Sequence, residues 1–217
     1  MYKTVVFDLD GTLLNTLTDL ADAGNRLCRK YGWPTHERQA YRYFVGNGIP
    51  KLVERLAPAD QRTPAVLEAA LADFKRDYGQ HLRDTTAPYP GIPEMLAKLK
   101  ANGVQLAVFS NKADALAKEV VKDYFGTQYF TIVRGQMTSV APKPAAEGTN
   151  ALLQALHADP ASTLYVGDSN VDVETAHNAN LPCCGAVWGF RTREELNAAG
   201  AEYLAENSDE LYDVIMK

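Results

Sequence analysis

Five short apolar runs recur along the chain, at 4–7, 104–109, 129–133, 163–166 and 183–187. Each has strand length and is rich in β-branched or aromatic residues. Helical patterns lie between the later ones. In "GIPEMLAKLKANG", Ile92, Met95, Leu96 and Leu99 share one face, with Pro93 early and Gly103 at the end. "NKADALAKEVVKDYFG" repeats the pattern with Leu116, Val120 and Tyr124, and "AAEGTNALLQALHAD" and "VDVETAHNAN" follow. "TREELNAAG" opens with the capping-box pair Thr192 and Glu195. Continuous apolar strands alternating with helices imply an α/β fold, a parallel sheet covered on both faces. Ligands of such sheets bind beyond the carboxyl ends of the strands.

The stretch from Thr16 to Arg83 differs. It contains no strand pattern, and "TDLADAGNRLCRKYG", "IPKLVERLA" and "PAVLEAALADFKRDYGQHL" read as amphipathic helices. The expected organisation is therefore a core of residues 1–15 and 84–217, with a helical insertion at 16–83 and "APYPGIP" marking the return. Within the insertion, Gly46, Asn47 and Gly48 of "VGNG" form either a loop that touches a substrate or a plain helix–helix turn. Lys51 and Arg55 read as a solvated helix face more readily than as a carboxylate site.

The strand ends carry the chemistry. The first ends in Asp8-Leu9-Asp10-Gly11-Thr12, the second in Ser110-Asn111-Lys112, and a later one in Gly167-Asp168-Ser169 with Asp172 a turn beyond. Lys143 sits between prolines just before a helix. On a strand, Asp8 and Asp10 would point the same way, and like charges that close resist leaving water. A hard cation such as Mg²⁺ rewards an oxygen-only cluster of this kind. An anionic substrate, most simply a phosphate ester, would complete it, with Lys143 as a point charge and Ser110 as a donor. Gly11 allows a sharp turn and close approach. Taken alone, Ser110 or Asn111 also suits a helix N-cap.

Composition narrows the alternatives. Of 217 residues, 46% are hydrophobic and 23% charged, enough for a sizeable core. The net charge of −5 comes without a basic stripe, so nucleic acid is not an expected partner. No apolar run approaches membrane-spanning length, and the first is interrupted at Asp8, unlike a signal peptide. Three cysteines without framework spacing fit a reducing cytoplasm, and Cys183 and Cys184 read as small residues of a buried strand. No two of the four histidines have metal-ligand spacing. Monomer and homodimer both remain open.

With "DLDGT", Ser110, Lys143 and "GDSNVD" in this order, the chain resembles the haloacid dehalogenase superfamily of phosphatases. The resemblance implies a Rossmann-like core with an inserted helical cap, and a small phosphorylated metabolite as substrate. Asp8 would be the nucleophile that forms an aspartyl-phosphate, and Asp10 the general acid and then the base. Mg²⁺ would be held by the Asp8 carboxylate, the Asp10 main-chain carbonyl and Asp168. Asp172 and Ser169 would stand behind these, Asp172 orienting metal-bound water. Gly11, Thr12, Ser110, Asn111 and Lys143 would bind phosphate. "NTLTDLADAGNRLCRKYGWP", "FVGNGIPKLVERL" and "VWGFRTREEL" are similar to the phosphoglycolate phosphatases of that superfamily. Asn180 stands where glycine is common there, and asparagine tolerates a left-handed turn. A broader sugar-phosphate phosphatase, a pyrophosphatase, a β-phosphoglucomutase-like enzyme and a non-catalytic phosphate-binding protein remain alternatives.

Overall fold

The computed structural model describes all 217 residues. In chain order it forms β1 (Thr4–Phe7), β2 (Leu14–Asn15), α1 (Leu17–Tyr31), α2 (Arg38–Phe44), α3 (Ile49–Leu56), α4 (Pro64–His81) and β3 (Ala87–Pro88). There follow α5 (Ile92–Ala101), β4 (Gln105–Ala113), α6 (Asp114–Phe125), β5 (Phe130–Gln136), α7 (Ala146–Leu156) and β6 (Thr163–Gly167). The chain ends with α8 (Asn170–Asn178), β7 (Cys183–Ala186), α9 (Arg193–Ala198), β8 (Tyr203–Ala205) and α10 (Ser208–Met216). Two compact units result, one of Met1–Leu14 with Pro88–Lys217 and one of Asn15–Ala87. No helix is long and apolar enough to cross a membrane.

The first unit is built on a six-stranded sheet of order β5-β4-β1-β6-β7-β8 with every pairing parallel. The inner strands are buried on both faces, which is why they read as unbroken apolar runs. On one face Val6, Ala107, Phe109, Tyr165 and Cys183 pack with Leu152 and Leu156 of α7, Val173 of α8 and Leu196 of α9. On the other, Phe7 meets Phe130 edge-on, and Phe130 meets Phe125 of α6. Cys183 and Cys184 are both buried in β7 as free thiols. The capping box of Thr192 and Glu195 starts α9. Asn180 adopts the left-handed conformation, φ 56°.

The second unit is helical. The buried face of α1 carries Leu20, Ala21, Ala23, Gly24, Leu27 and Cys28. A side chain at Gly24 would meet the Tyr41 ring at 2.5 Å, so glycine lets α2 lie close. The unit extends four residues past Arg83 for a definite reason. The buried Asp19 carboxylate accepts from the amides of Thr85 (2.9 Å) and Thr86 (2.9 Å) and from both their hydroxyls (2.5 and 2.7 Å).

Three features depart from the sequence pattern. α2 has no amphipathic signature, because only Tyr41 of its seven residues is buried. β8 is a three-residue edge strand, too short to stand out. β4 runs on to Ala113 and α6 starts only at Asp114, so Ser110 and Asn111 lie in the strand and neither caps the helix.

Candidate active site

The sheet register sets the site. Phe7 pairs with Val108 on one side and Val166 on the other. Asp8 therefore leaves β1 level with Phe109 and Gly167, and Ser110 and Asp168 are the next residues along their strands. The central strand has its two neighbours reached by crossovers in opposite directions, which opens a crevice at the carboxyl edge.

Asp8, Asp168 and Asp172 are all buried, and one carboxylate oxygen from each lies within 4.8 Å of the others. The Lys143 ammonium is bound among them, 2.8 Å from Asp8 Oδ1 and 2.6 Å from Asp172 Oδ1. It also approaches the Tyr165 hydroxyl (3.2 Å) and the Phe109 carbonyl (3.4 Å). Burial pulls the Lys143 ammonium down, but Asp172 and Asp8 outweigh it and hold it well above the ordinary lysine value. Burial pushes the Asp8 carboxyl up to about 7, helped by Asp172 and Asp10 and opposed by Lys143. Asp168 is raised well above the usual carboxylate range by burial and then by Asp172 and Asp8, against the Phe190 amide and Arg191. Three buried carboxylates face one ammonium, so the cluster carries excess negative charge when ionised. An all-oxygen donor set of this charge suits a hard divalent cation, and the residues present fit such an ion.

The remaining candidates have well-defined partners. Asp172 Oδ2 accepts from the Asp168 amide (3.2 Å), the Ser169 amide (3.1 Å) and the Ser169 hydroxyl (2.7 Å). Asp172 and Ser169 thus cap α8 while Asp172 braces Lys143. β1 ends at Phe7, so strand alternation does not govern the acidic pair. Asp8 is on Lys143, whereas Asp10 takes its own cation, Lys112, at 3.0 and 3.3 Å. The Thr12 hydroxyl is 3.4 Å from Asp168 Oδ1. Gly11 has φ 94°, and a Cβ there would stand 2.2 Å from Asp168 Oδ2, so its close neighbour is a carboxylate of the chain itself. Ser110 Oγ accepts from the Lys112 amide at 3.2 Å. Asn111 clamps the main chain of Lys143, accepting from its amide (2.9 Å) and donating to its carbonyl (3.3 Å).

Gly46, Asn47 and Gly48 lie in the helical unit, between α2 and α3, with both glycines at positive φ. Arg55 is half-buried and is not a spare cation. Its guanidinium donates to Asn47 Oδ1 (2.9 Å) and to the carbonyls of Phe44 (2.8 Å) and Tyr43 (3.1 Å), which ties the loop down. Lys51 pairs with Glu54. Sequence reasoning gave no role in the site to Lys112, to Tyr165 or to the turn at Trp188–Arg191 within "VWGFRTREEL". Lys112 had a signal, since it continues the polar end of the strand that carries Ser110.

A buried carboxylate beside an ammonium and an acidic cluster that fits a cation can hold an anionic group and attack it. Comparison with known proteins points the same way. Residues 5–186 match the haloacid dehalogenase-like hydrolase family. The chain is 31% identical over 216 residues to a phosphoglycolate phosphatase of Chromobacterium violaceum, covering 98% of this chain and 96% of that one. It is also 31% identical over 191 residues to the Thiobacillus denitrificans phosphoglycolate phosphatase, covering 87% and 84%. A predicted phosphoglycolate phosphatase from Haemophilus somnus superposes with a TM-score of 0.89 at 25% identity, covering 98% of this chain and 97% of that one. Family match, fold and the carboxylates at the sheet edge agree, and the chain belongs to the haloacid dehalogenase-like hydrolases as a phosphatase that resembles the phosphoglycolate phosphatases.

Proposed function

We propose that the chain hydrolyses small phosphate monoesters, 2-phosphoglycolate foremost, with Mg²⁺ and through an aspartyl-phosphate on Asp8. The observation that carries this reading is the buried trio of Asp8, Asp168 and Asp172 around the Lys143 ammonium. The likeness to phosphoglycolate phosphatases supports the substrate.

Asp8 and Asp168 would hold Mg²⁺ through their carboxylates and Asp10 through its main-chain carbonyl. When bound, the ion supplies charge neutralisation between the carboxylates and the phosphoryl oxygens. A carboxylate oxygen of Asp8 forms a bond to phosphorus as the bond from phosphorus to the ester oxygen breaks. Asp10 delivers its proton to that departing alkoxide. Water then attacks the same phosphorus, Asp10 takes its proton, and the Asp8 carboxylate leaves. Lys143 orients Asp8 and offsets the phosphoryl charge, while Asn111 keeps the Lys143 main chain in place. The Ser110 hydroxyl is the donor for a phosphate oxygen. Gly11 and Thr12 serve by shaping the turn, because their amides already donate to the carbonyls of Leu14 (2.8 Å) and Leu9 (3.3 Å). On this reading the helical unit is the cap that selects the substrate, and Gly46–Gly48 is its candidate loop. Support comes from its insertion directly after "DLDGT". Three free cysteines suit a cytoplasmic setting.

Phosphate release from a panel of small esters, with Mg²⁺ and with excess EDTA, tests the reading. The expected result is metal-dependent release with 2-phosphoglycolate preferred. Release from sugar phosphates alone would remove the substrate, and undiminished release in EDTA would remove the metal.

Asp10→Asn separates the two half-reactions. A leaving group that needs no proton, such as p-nitrophenolate, should depart in a burst of about one per chain, followed by slow turnover. Steady turnover at the unmodified rate would show that Asp10 carries no proton.

A further inference from the structure

"VWGFRTREEL" stood out in the sequence, yet no step above uses it. The structure gives its first residues a task. Between β7 and α9 the chain makes a turn in which the Gly189 amide donates to the Ala186 carbonyl at 3.1 Å. The next two amides reach Asp168, Phe190 N–H to Oδ2 at 2.7 Å and Arg191 N–H to the main-chain carbonyl at 3.3 Å. Trp188 Nε1 donates to the Thr12 carbonyl at 3.0 Å, while the Thr12 hydroxyl reaches Asp168 Oδ1 from the other side. Space is as tight as the bonding. A Cβ on Gly189 would stand 2.2 Å from Asp168 Cβ and 2.6 Å from the Gly11 carbonyl oxygen. The Gly11–Thr12 turn and the Trp188–Arg191 turn therefore grip Asp168 between them, and the indole N–H joins the two turns.

A carboxylate rotates broadly about its last torsion. Buried with its oxygen within 4.8 Å of those of Asp8 and Asp172, that of Asp168 meets like charge on the side where it would have to face a cation. A donor fixed on each oxygen removes that freedom before any cation arrives. We infer that Trp188 is a positioning residue, whose indole N–H holds the two turns together and so fixes the Asp168 carboxylate for a divalent cation. The inference rests on Asp168 being a metal carboxylate, as proposed above. Residues that orient metal ligands without touching the metal typically contribute about 10–100-fold to affinity.

Isothermal titration of the full chain with Mg²⁺ tests this on wild type, Trp188→Phe and Asp168→Asn, below the melting transition of each in EDTA. Trp188→Phe keeps the ring and loses the donor. The expected result is about tenfold weaker Mg²⁺ binding in Trp188→Phe, a near loss of binding in Asp168→Asn, and a matching rise in the Mg²⁺ needed for half-maximal phosphatase activity of Trp188→Phe. Wild-type affinity in Trp188→Phe with binding lost in Asp168→Asn would overturn the inference and leave the metal reading intact. A lower melting temperature for Trp188→Phe with unchanged affinity would overturn it too, as a purely structural role. Wild-type affinity in Asp168→Asn would overturn both.

Discussion

Asp8→Asn is expected to abolish turnover and, with metal chelated, to make the folded chain more stable than wild type. An amide is a far weaker nucleophile than a carboxylate, and loss of a nucleophile costs at least about a thousandfold in kcat. The stability gain comes from burial. Asp8 ionises at about 7 in the folded chain against an ordinary value of 3.8. Below the ordinary value the carboxyl is neutral folded and unfolded, and it contributes nothing. Between the two values only the unfolded chain ionises, so wild type loses stability as pH rises. Above about 7 both states are ionised and the loss levels off, on the order of 4 kcal/mol from 1.36 kcal/mol per pKa unit. Asparagine has no such ionisation. Urea unfolding in EDTA should give matching stabilities near pH 4 and a clear advantage for Asp8→Asn near pH 8. A variant less stable than wild type at the higher pH would mean that Asp8 is a stabilising ion-pair partner rather than a strained nucleophile.

Lys143→Met should be the most destabilising single change at the site. It removes the ammonium bound to Asp8 and Asp172 and leaves that buried pair without the cation between them. Breaking one side of a buried ion pair costs about 3–5 kcal/mol, whereas a surface lysine would cost almost nothing. The deficit should grow with pH. Without Lys143 the Asp8 carboxyl is pushed higher still, so its ionisation is more costly to the folded chain. In acid the carboxylates are neutral and the loss shrinks. Melting curves of wild type and Lys143→Met across pH, in EDTA, check this. A difference in melting temperature that is small, or constant with pH, would place the ammonium outside the charge balance described here.

How much of this was legible in sequence depends on where each signal is stored. The inner strands announce themselves because a strand covered on both faces must be apolar throughout, as in Val5-Val6-Phe7. The edge strand Tyr203–Ala205 has no such constraint, with Tyr203 40% exposed. Asp8, Asp168, Asp172 and Lys143 were legible because polar residues that close an apolar strand, or open the following helix, gather at one sheet edge. What the sequence withheld was the allocation of partners. Thr12 and Asn111 read as phosphate donors, yet the structure turns one hydroxyl toward Asp168 and one amide onto the main chain of Lys143. The Thr12 contact joins residues 156 apart in the chain. Such pairings follow from strand order and register, which no local pattern encodes. Lys112 illustrates the same limit, because its relation to Asp10 exists only once β1 and β4 lie side by side.

The central claim is that phosphoryl transfer passes through Asp8. It is tested most directly by quenching the enzyme in acid during turnover of a phosphate ester with Mg²⁺ and mapping the peptides by mass spectrometry. The account predicts a phosphoryl group on the peptide that carries Asp8, formed and lost at rates consistent with turnover and absent from Asp8→Asn. Full turnover with no phosphorylated peptide, or a phosphoryl group on any other residue, would contradict it.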